Sequence, residues 1–280
     1  MIAEQYTELE NNYNIPGLSE KILSTLKTVK NNQTSYVRED FSTFDEFHLQ
    51  GIQGTRELAK LVPIEQQMKI LDLGSGVGGA ARTLATEHEV QVCGVELIEE
   101  YFKASQMLSE LCHLDTRTKF YHGSALNVPF EEQSFDLVWM QHMNMNIQDK
   151  NKLYAEAARV VKVNGKIALY EICKGHSTNN EFYFPVPWAN NEQINHLATI
   201  DEIRSIILNL GFTEIKYLNV TDSCLKWINT VLEKQKSGVK NPLGLHIIVN
   251  NDFAQKIINL GKNIEQNNVE VVMAVFEKKT

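Results

Sequence analysis

The strongest constraint on this chain is the stretch Lys69-Ile70-Leu71-Asp72-Leu73-Gly74-Ser75-Gly76-Val77-Gly78-Gly79. An apolar run carries a carboxylate near its end, and glycines crowd the residues that follow. Ala80-Ala81-Arg82-Thr83-Leu84-Ala85 then opens a pattern with helical spacing. The order is strand, turn, helix. Glycine is needed where backbone turns sharply and must approach a ligand, because a Cβ would clash. The helix that follows offers free N–H groups and a partial positive charge to whatever occupies the turn. A glycine turn that holds no ligand is the plain alternative.

Gly74, Gly76 and Gly79 fit the dinucleotide fingerprint literally. Asp72 argues against that reading, since a carboxylate at the strand end would repel a pyrophosphate. It suits a ligand that brings a cation, such as S-adenosylmethionine, which carries an ammonium and a sulfonium and no phosphate. Glu89-Val90-Gln91-Val92-Cys93-Gly94-Val95-Glu96 reads as a second strand ending in an acid, 24 residues after Asp72. An acid about 20 residues beyond the glycine turn commonly takes both ribose hydroxyls of an adenosine. A surface glutamate is the alternative.

The bulk numbers narrow the classes. Length allows one large domain, or one with an appended part, and 43% hydrophobic content can supply a core. A net charge of -8 disfavours a nucleic-acid backbone as partner. Cys93, Cys112, Cys173 and Cys224 are scattered, which predicts neither a metal site nor a disulfide frame. The first residues lack the basic and apolar regions of a signal peptide, and no apolar run reaches membrane-span length. A cytoplasmic location is the default expectation.

Along the chain, Leu18, Ile22, Leu23 and Leu26 share one helix face, and aromatic-rich Phe41 to Phe47 precedes Gly51 and Gly54. Residues 1–54 therefore read as a helical arm or lid, and 55–280 as the main domain. Further strands are expected at 119–122, 134–140, 166–172, 212–220 and 269–276, with a turn at Asn164-Gly165. Helices are expected at 101–111 and 149–161, and another opens on the capping box of Thr199 and Glu202. Residues 175–195 form an irregular stretch stiffened by Pro185 and Pro187, and 221–268 a mainly helical insert. Strands alternating with helices imply a doubly wound, seven-stranded, mostly parallel sheet of α/β class, Rossmann-like. The insert could cap a pocket or form a homodimer face.

The segments Ile70 to Gly79, Gly94 to Glu96, Val128 to Trp139 and Ala158 to Gly165 resemble the motifs of class I S-adenosylmethionine-dependent methyltransferases. The likeness is to the small-molecule group that includes ubiquinone, sarcosine/dimethylglycine and phosphoethanolamine methyltransferases. Phe44 to His48, Gln141 to Ile147, Phe184 to Ala189 and Pro242 to His246 resemble a bacterial branch of that group. The resemblance implies S-adenosylmethionine as cofactor, held by Asp72, Gly74, Ser75, Gly76, Gly78, Glu96 and Leu97. It further implies contacts from Ser124, Ala125, Leu126 and Gln141, with Ser124 where relatives carry an Asp beside the adenine. The histidine that phosphoethanolamine-type relatives place after the fourth strand is Asn146 here, and His142 stands where several carry Asp.

In an open parallel sheet, ligands bind beyond the carboxyl ends of the strands. His142 leaves the fourth strand there and is the first candidate for a base or an acceptor-positioning group. His48, on the aromatic segment, is the second. A structural, hydrogen-bonded histidine is the alternative for each. Tyr183 and Trp188 are candidates for the wall of the acceptor pocket, and the expected partner is a small-molecule methyl acceptor. Two other functions stay open: a nicotinamide oxidoreductase, and a catalytically silent cofactor-binding scaffold.

Overall fold

The computed structural model describes residues 2–178, 181–236, 241–249 and 252–279, with side chains from residue 8 onward. The irregular stretch expected at 175–195 and the insert at 221–268 thus include residues outside that set, 179–180 in the first and 237–240 and 250–251 in the second.

The strands are β1 (Lys69–Leu73), β2 (Gln91–Glu96), β3 (Thr118–His122), β4 (Phe135–Gln141), β5 (Val161–Lys174), β6 (Phe212–Asn219) and β7 (Val269–Lys278). They form one sheet in the order β3-β2-β1-β4-β5-β7-β6. Only β7 runs antiparallel, against both β5 and β6. This is the doubly wound, mostly parallel sheet expected. Its central strands β1, β4, β5 and β7 are largely apolar on both faces, as burial from two sides requires, while edge strand β6 is mostly exposed. On β7, Val271, Met273 and Val275 enter one core while Val272, Ala274 and Phe276 enter the other, following the two-residue strand period.

The helices are α1 (Ile2–Tyr13), α2 (Leu18–Val29), α3 (Ile52–Leu61), α4 (Gly79–His88), α5 (Glu99–Leu111), α6 (Lys150–Val160), α7 (Ile200–Asn209), α8 (Thr221–Lys236) and α9 (Phe253–Glu265). Helices α3, α4, α8 and α9 cover one face of the sheet, and α6 and α7 the other. Thr199 and Glu202 form the expected capping box at the start of α7. Helix α2 buries Leu18, Ile22 and Leu26 completely, packing on α5. Each such side chain contributes about 1.5–3 kcal/mol by leaving water.

Two local expectations are corrected. Asn164-Gly165 does not separate helix from strand. Strand β5 starts at Val161, opposite Phe135, and the register shifts before Leu137 meets Lys166. Asn164, at φ 62°, takes up the irregularity inside the strand. Helix α1 has no counterpart in the sequence reading, because its polar-rich residues give only a weak apolar face. Its tertiary contacts place it: Leu9 is buried, and the Tyr13 hydroxyl donates to Asn146 Oδ1 at 2.9 Å.

Candidate functional site

The crevice lies beyond the carboxyl ends of β1, β2 and β4, where the strand order reverses. It holds a cavity of about 540 Å³, within the usual range for small-molecule sites. Its sheet side is built from the β1–α4 turn, the β2 tip, residues 123–126 and the β4 exit.

In the turn, Gly76 has φ 54° and open space where a side chain would stand. Its N–H donates to Glu96 Oε2 at 2.7 Å. Gly79 serves packing. A Cβ there would lie 2.1 Å from the Asp45 carbonyl oxygen, so the 38–49 segment can descend onto α4 only over a glycine. Gly78, at the start of α4, lies off the cavity and presses on Phe120 and Arg82. Gly74, Ser75, Leu97, Ser124, Ala125 and Leu126 all reach the cavity. Ser124 Oγ also accepts the Leu126 N–H at 3.2 Å.

Asp72 is buried, and its Oδ2 has no hydrogen-bond partner among the described residues. Burial, with Glu46 and Glu96 nearby, raises its pKa well above the usual carboxylate range. An unpartnered, desolvated carboxylate oxygen on a cavity wall is a site for a cation or a hydrogen-bond donor. Glu96 is also pushed up by burial, although backbone N–H groups at Ile98 and Gly76 oppose this. Each of its oxygens accepts one such bond and keeps a second lone pair for a ligand hydroxyl. A ligand carrying an ammonium and a ribose fits these two acids, and the room at Gly76 admits it.

Gln141 Oε1 accepts from Trp139 Nε1 at 2.6 Å and from Thr55 Oγ1 at 3.2 Å, so it joins β4 to α3 as well as facing the cavity. His48 meets an oxygen at each ring nitrogen: Nε2 lies 3.0 Å from Glu46 Oε2, and Nδ1 3.2 Å from the Leu49 carbonyl. Glu46 is also gripped by Arg38 at 2.5 Å and Thr83 at 2.6 Å. Burial pushes the Glu46 carboxyl up, but His48 and Arg38 outweigh it and hold the pKa at about 2.

His142 sits at φ 48°, a conformation uncommon for a side-chain-bearing residue. Its Nδ1 lies 3.0 Å from the Tyr170 carbonyl. A carbonyl only accepts, so Nδ1 carries the proton and Nε2 keeps its lone pair. That Nε2 has no hydrogen-bond partner among the described residues. Burial and the neighbouring His48 lower its pKa to about 3. Glu171, at the end of β5, fixes the turn beyond His142 by accepting the Met143 and Asn144 N–H groups, each at 3.2 Å.

Trp188 is fully buried on the cavity wall, and Asn195 takes its indole N–H at 2.8 Å. Tyr183 is not on the cavity. Asn263 of α9 bonds its backbone at 3.0 and 2.9 Å, its hydroxyl donates to Glu181, and its ring lies under Lys262. The prolines turn Val186 to Ala189 inward, leaving Tyr183 outside. The sequence reading did not single out Tyr13, Glu46, Trp227 or Phe253, which also line the cavity. Glu46, an acid two residues before His48, was the detectable signal.

Residues 71–169 match the family model described as a methyltransferase domain. A glycine/sarcosine/dimethylglycine N-methyltransferase of Actinopolyspora halophila is 25% identical over 200 residues, covering 71% of this chain and 34% of that protein. The chain spans roughly a third to a half of the length of such curated relatives. Among solved structures, phosphoethanolamine N-methyltransferase 2 of Haemonchus contortus, in complex with phosphomonomethylethanolamine and S-adenosylhomocysteine, superposes with a TM-score of 0.70. It is 20% identical, covering 92% of this chain and 61% of that one. The [4+2]-cyclase SpnF superposes at 0.67 with 14% identity, covering 94% of each chain. These likenesses establish the fold.

Proposed function

We propose that this chain, which carries a methyltransferase domain of the class I fold, binds S-adenosylmethionine and methylates a small molecule. The observation that carries this reading is Asp72 Oδ2, unpartnered among the described residues, on a cavity wall that Glu96 of the neighbouring strand also lines. In this reading Asp72 takes the ammonium and Glu96 the ribose hydroxyls. The turn from Gly74 to Gly76 lies along the amino-acid portion, and Leu97, Ser124, Ala125 and Leu126 lie beside the adenosine. The bound cofactor supplies a methyl carbon made electrophilic by positive sulfur, open to in-line displacement by an acceptor lone pair.

The chain's own work is to align the acceptor and exclude water. His142 Nε2 accepts a hydrogen bond from the acceptor's X–H group. With a pKa near 3 it is a weak base, so the proton moves late, once the attacking atom has bonded to carbon and become acidic. His48 has both nitrogens engaged by Glu46 and Leu49, so it supports the site and is not the group that takes the proton. The arm over residues 1–54 acts as a lid, with Leu9 and Tyr13 on the cavity wall. The main domain is 55–280.

Titration calorimetry tests the reading. S-adenosylmethionine and S-adenosylhomocysteine should bind one per chain, and NADPH should not. Tight NADPH binding without S-adenosylmethionine binding would favour an oxidoreductase. A silent scaffold that binds the cofactor would give no labelled product from cell extract supplied with methyl-labelled cofactor.

A further inference from the structure

Part of the cavity wall comes from the N-terminal arm and the helical insert. Tyr13 and Phe47 face it from the arm, Trp188 from the stiff loop, and Trp227, Phe253 and Leu260 from the insert. Two of these residues come from before the first strand and three from beyond the sixth.

The charges are one-sided. Among the described residues lining the cavity there is no arginine and one lysine, Lys152, which is exposed. The buried cations nearby are already engaged. Arg38 is held by Glu46 at 2.5 Å, and Arg82 by Asp45 at 2.8 Å. Lys150 donates to the carbonyls of Asn144 and His196 at 2.7 and 2.6 Å. Lys256 donates to Asn12 at 3.2 Å and pairs with Asp252. The carboxylates Asp45, Glu46, Asp72 and Glu96 line the same space. A carboxylate or phosphate of an acceptor buried there would lose its water and find no unengaged buried cation among the described residues, with exposed Lys152 the one lysine on the wall, a cost that buried charges do not recover.

The polar end offers a lone pair, not a proton. His142 Nε2 is unpartnered and its tautomer is set by the Tyr170 carbonyl, so it asks for a donor. An amine would meet that need, but with a pKa near that of lysine, about 10, it arrives protonated and has no lone pair to methylate. A phenol, with a pKa also about 10, arrives neutral and still donates.

We infer that the methyl acceptor is an uncharged, largely apolar hydroxy compound, seated with its O–H on His142 Nε2 and its body between the arm and the insert. This rests on the methyl-transfer reading of the cavity.

The test uses the full chain in calorimetry. S-adenosylhomocysteine is titrated first; if it does not bind, the methyl-transfer reading itself falls. With that ligand saturating, three probes of one shape are compared: 4-hexylphenol, 6-(4-hydroxyphenyl)hexanoate and 6-(4-hydroxyphenyl)hexylamine. The neutral phenol should bind at least about tenfold tighter than either charged probe, a difference of about 1.4 kcal/mol. Equal or tighter binding of a charged probe, or no binding of the phenol, overturns the inference while leaving cofactor binding intact. Trp227→Lys, at a half-buried wall position, should shift the preference toward the hexanoate by about tenfold or more; an unchanged preference refutes the placement. His142→Ala should weaken the phenol and leave S-adenosylhomocysteine affinity unchanged; equal phenol affinity refutes the seat.

Discussion

Replacing Asp72 by Asn separates what this residue does for binding from what it costs the fold. The amide keeps the shape and removes the charge. In the native chain the carboxylate is buried, one oxygen has no partner, and Glu46 and Glu96 stand nearby. Its folded pKa is therefore raised above the unfolded value, which is about 3.9. For an acid shifted this way, the folded state holds the proton more tightly than the unfolded state, and stability falls as pH rises through the folded pKa. The uncharged amide carries no such penalty, so the variant should be at least as stable as the parent at neutral pH and more stable in alkali. Cofactor binding should move the other way. A hydrogen bond to a charged group contributes about 1.5–3 kcal/mol, so S-adenosylhomocysteine should bind about ten- to 150-fold more weakly. Binding of the ammonium also favours the ionised carboxylate and expels its proton. Calorimetry in buffers of different ionisation heat, repeated across pH, should detect proton release from the parent through the Asp72 titration, and less from Asp72→Asn. Parent affinity should weaken as pH falls through the Asp72 titration, while the variant's changes less. Unchanged affinity in Asp72→Asn, or a clear loss of stability, would refute the assignment.

The other expectations concern the surroundings. Glu46→Gln removes a carboxylate that engages Arg38, His48, Thr55 and Thr83; breaking such a buried pair costs about 3–5 kcal/mol, to be measured by urea denaturation. Glu171, raised to about 8 by burial, contributes a stability loss between about pH 4.5 and 8 as it ionises; Glu171→Gln should flatten the melting temperature across that window and raise it at pH 8.5. Tyr13→Phe removes one hydrogen bond to Asn146 and should cost about 0.5–1.5 kcal/mol, with faster amide exchange in α1 as the sign that the arm has loosened. Because His142 titrates near 3, the pH dependence of turnover from 6 to 9 should be the same in the parent and in His142→Gln, even if the rates differ.

The proposed cofactor side of the cavity was legible because it is nearly local. Asp72, the glycine turn and α4 are contiguous, and Glu96 lies one strand away, so spacing alone brought them together. The acceptor half was not. Tyr13, Trp227 and Phe253 come from opposite ends of the chain, and an amphipathic helix pattern tells that a face is buried without telling what covers it. Tyr183 shows the limit of composition. It shares an aromatic, proline-stiffened loop with Trp188, yet of the two only Trp188 reaches the cavity, while Asn263, a buried residue of α9, fastens the Tyr183 backbone away from it. Gly78 shows the same limit within the motif. Its spacing matches its neighbours, but the space a side chain there would need is filled by Phe120 and Arg82.

The glycine turn also does a second task that its sequence does not advertise. Gly79 admits the Asp45 carbonyl, and Arg82, one turn further along α4, takes the Asp45 carboxylate at 2.8 Å. Arg38 then bridges Asp45 and Glu46, and Glu46 holds His48. His48 in turn is one cause of the lowered His142 pKa. A chain of buried charges therefore runs from the residues after the cofactor turn, through the N-terminal segment, to the imidazole at the acceptor end. Desolvation makes each of these charges costly alone, and each is tolerated only because the next one answers it. The turn proposed to receive the cofactor and the segment proposed to face the acceptor are thus held as one unit. A substitution at Gly79 should reach His48 and the acceptor seat as strongly as it reaches the cofactor.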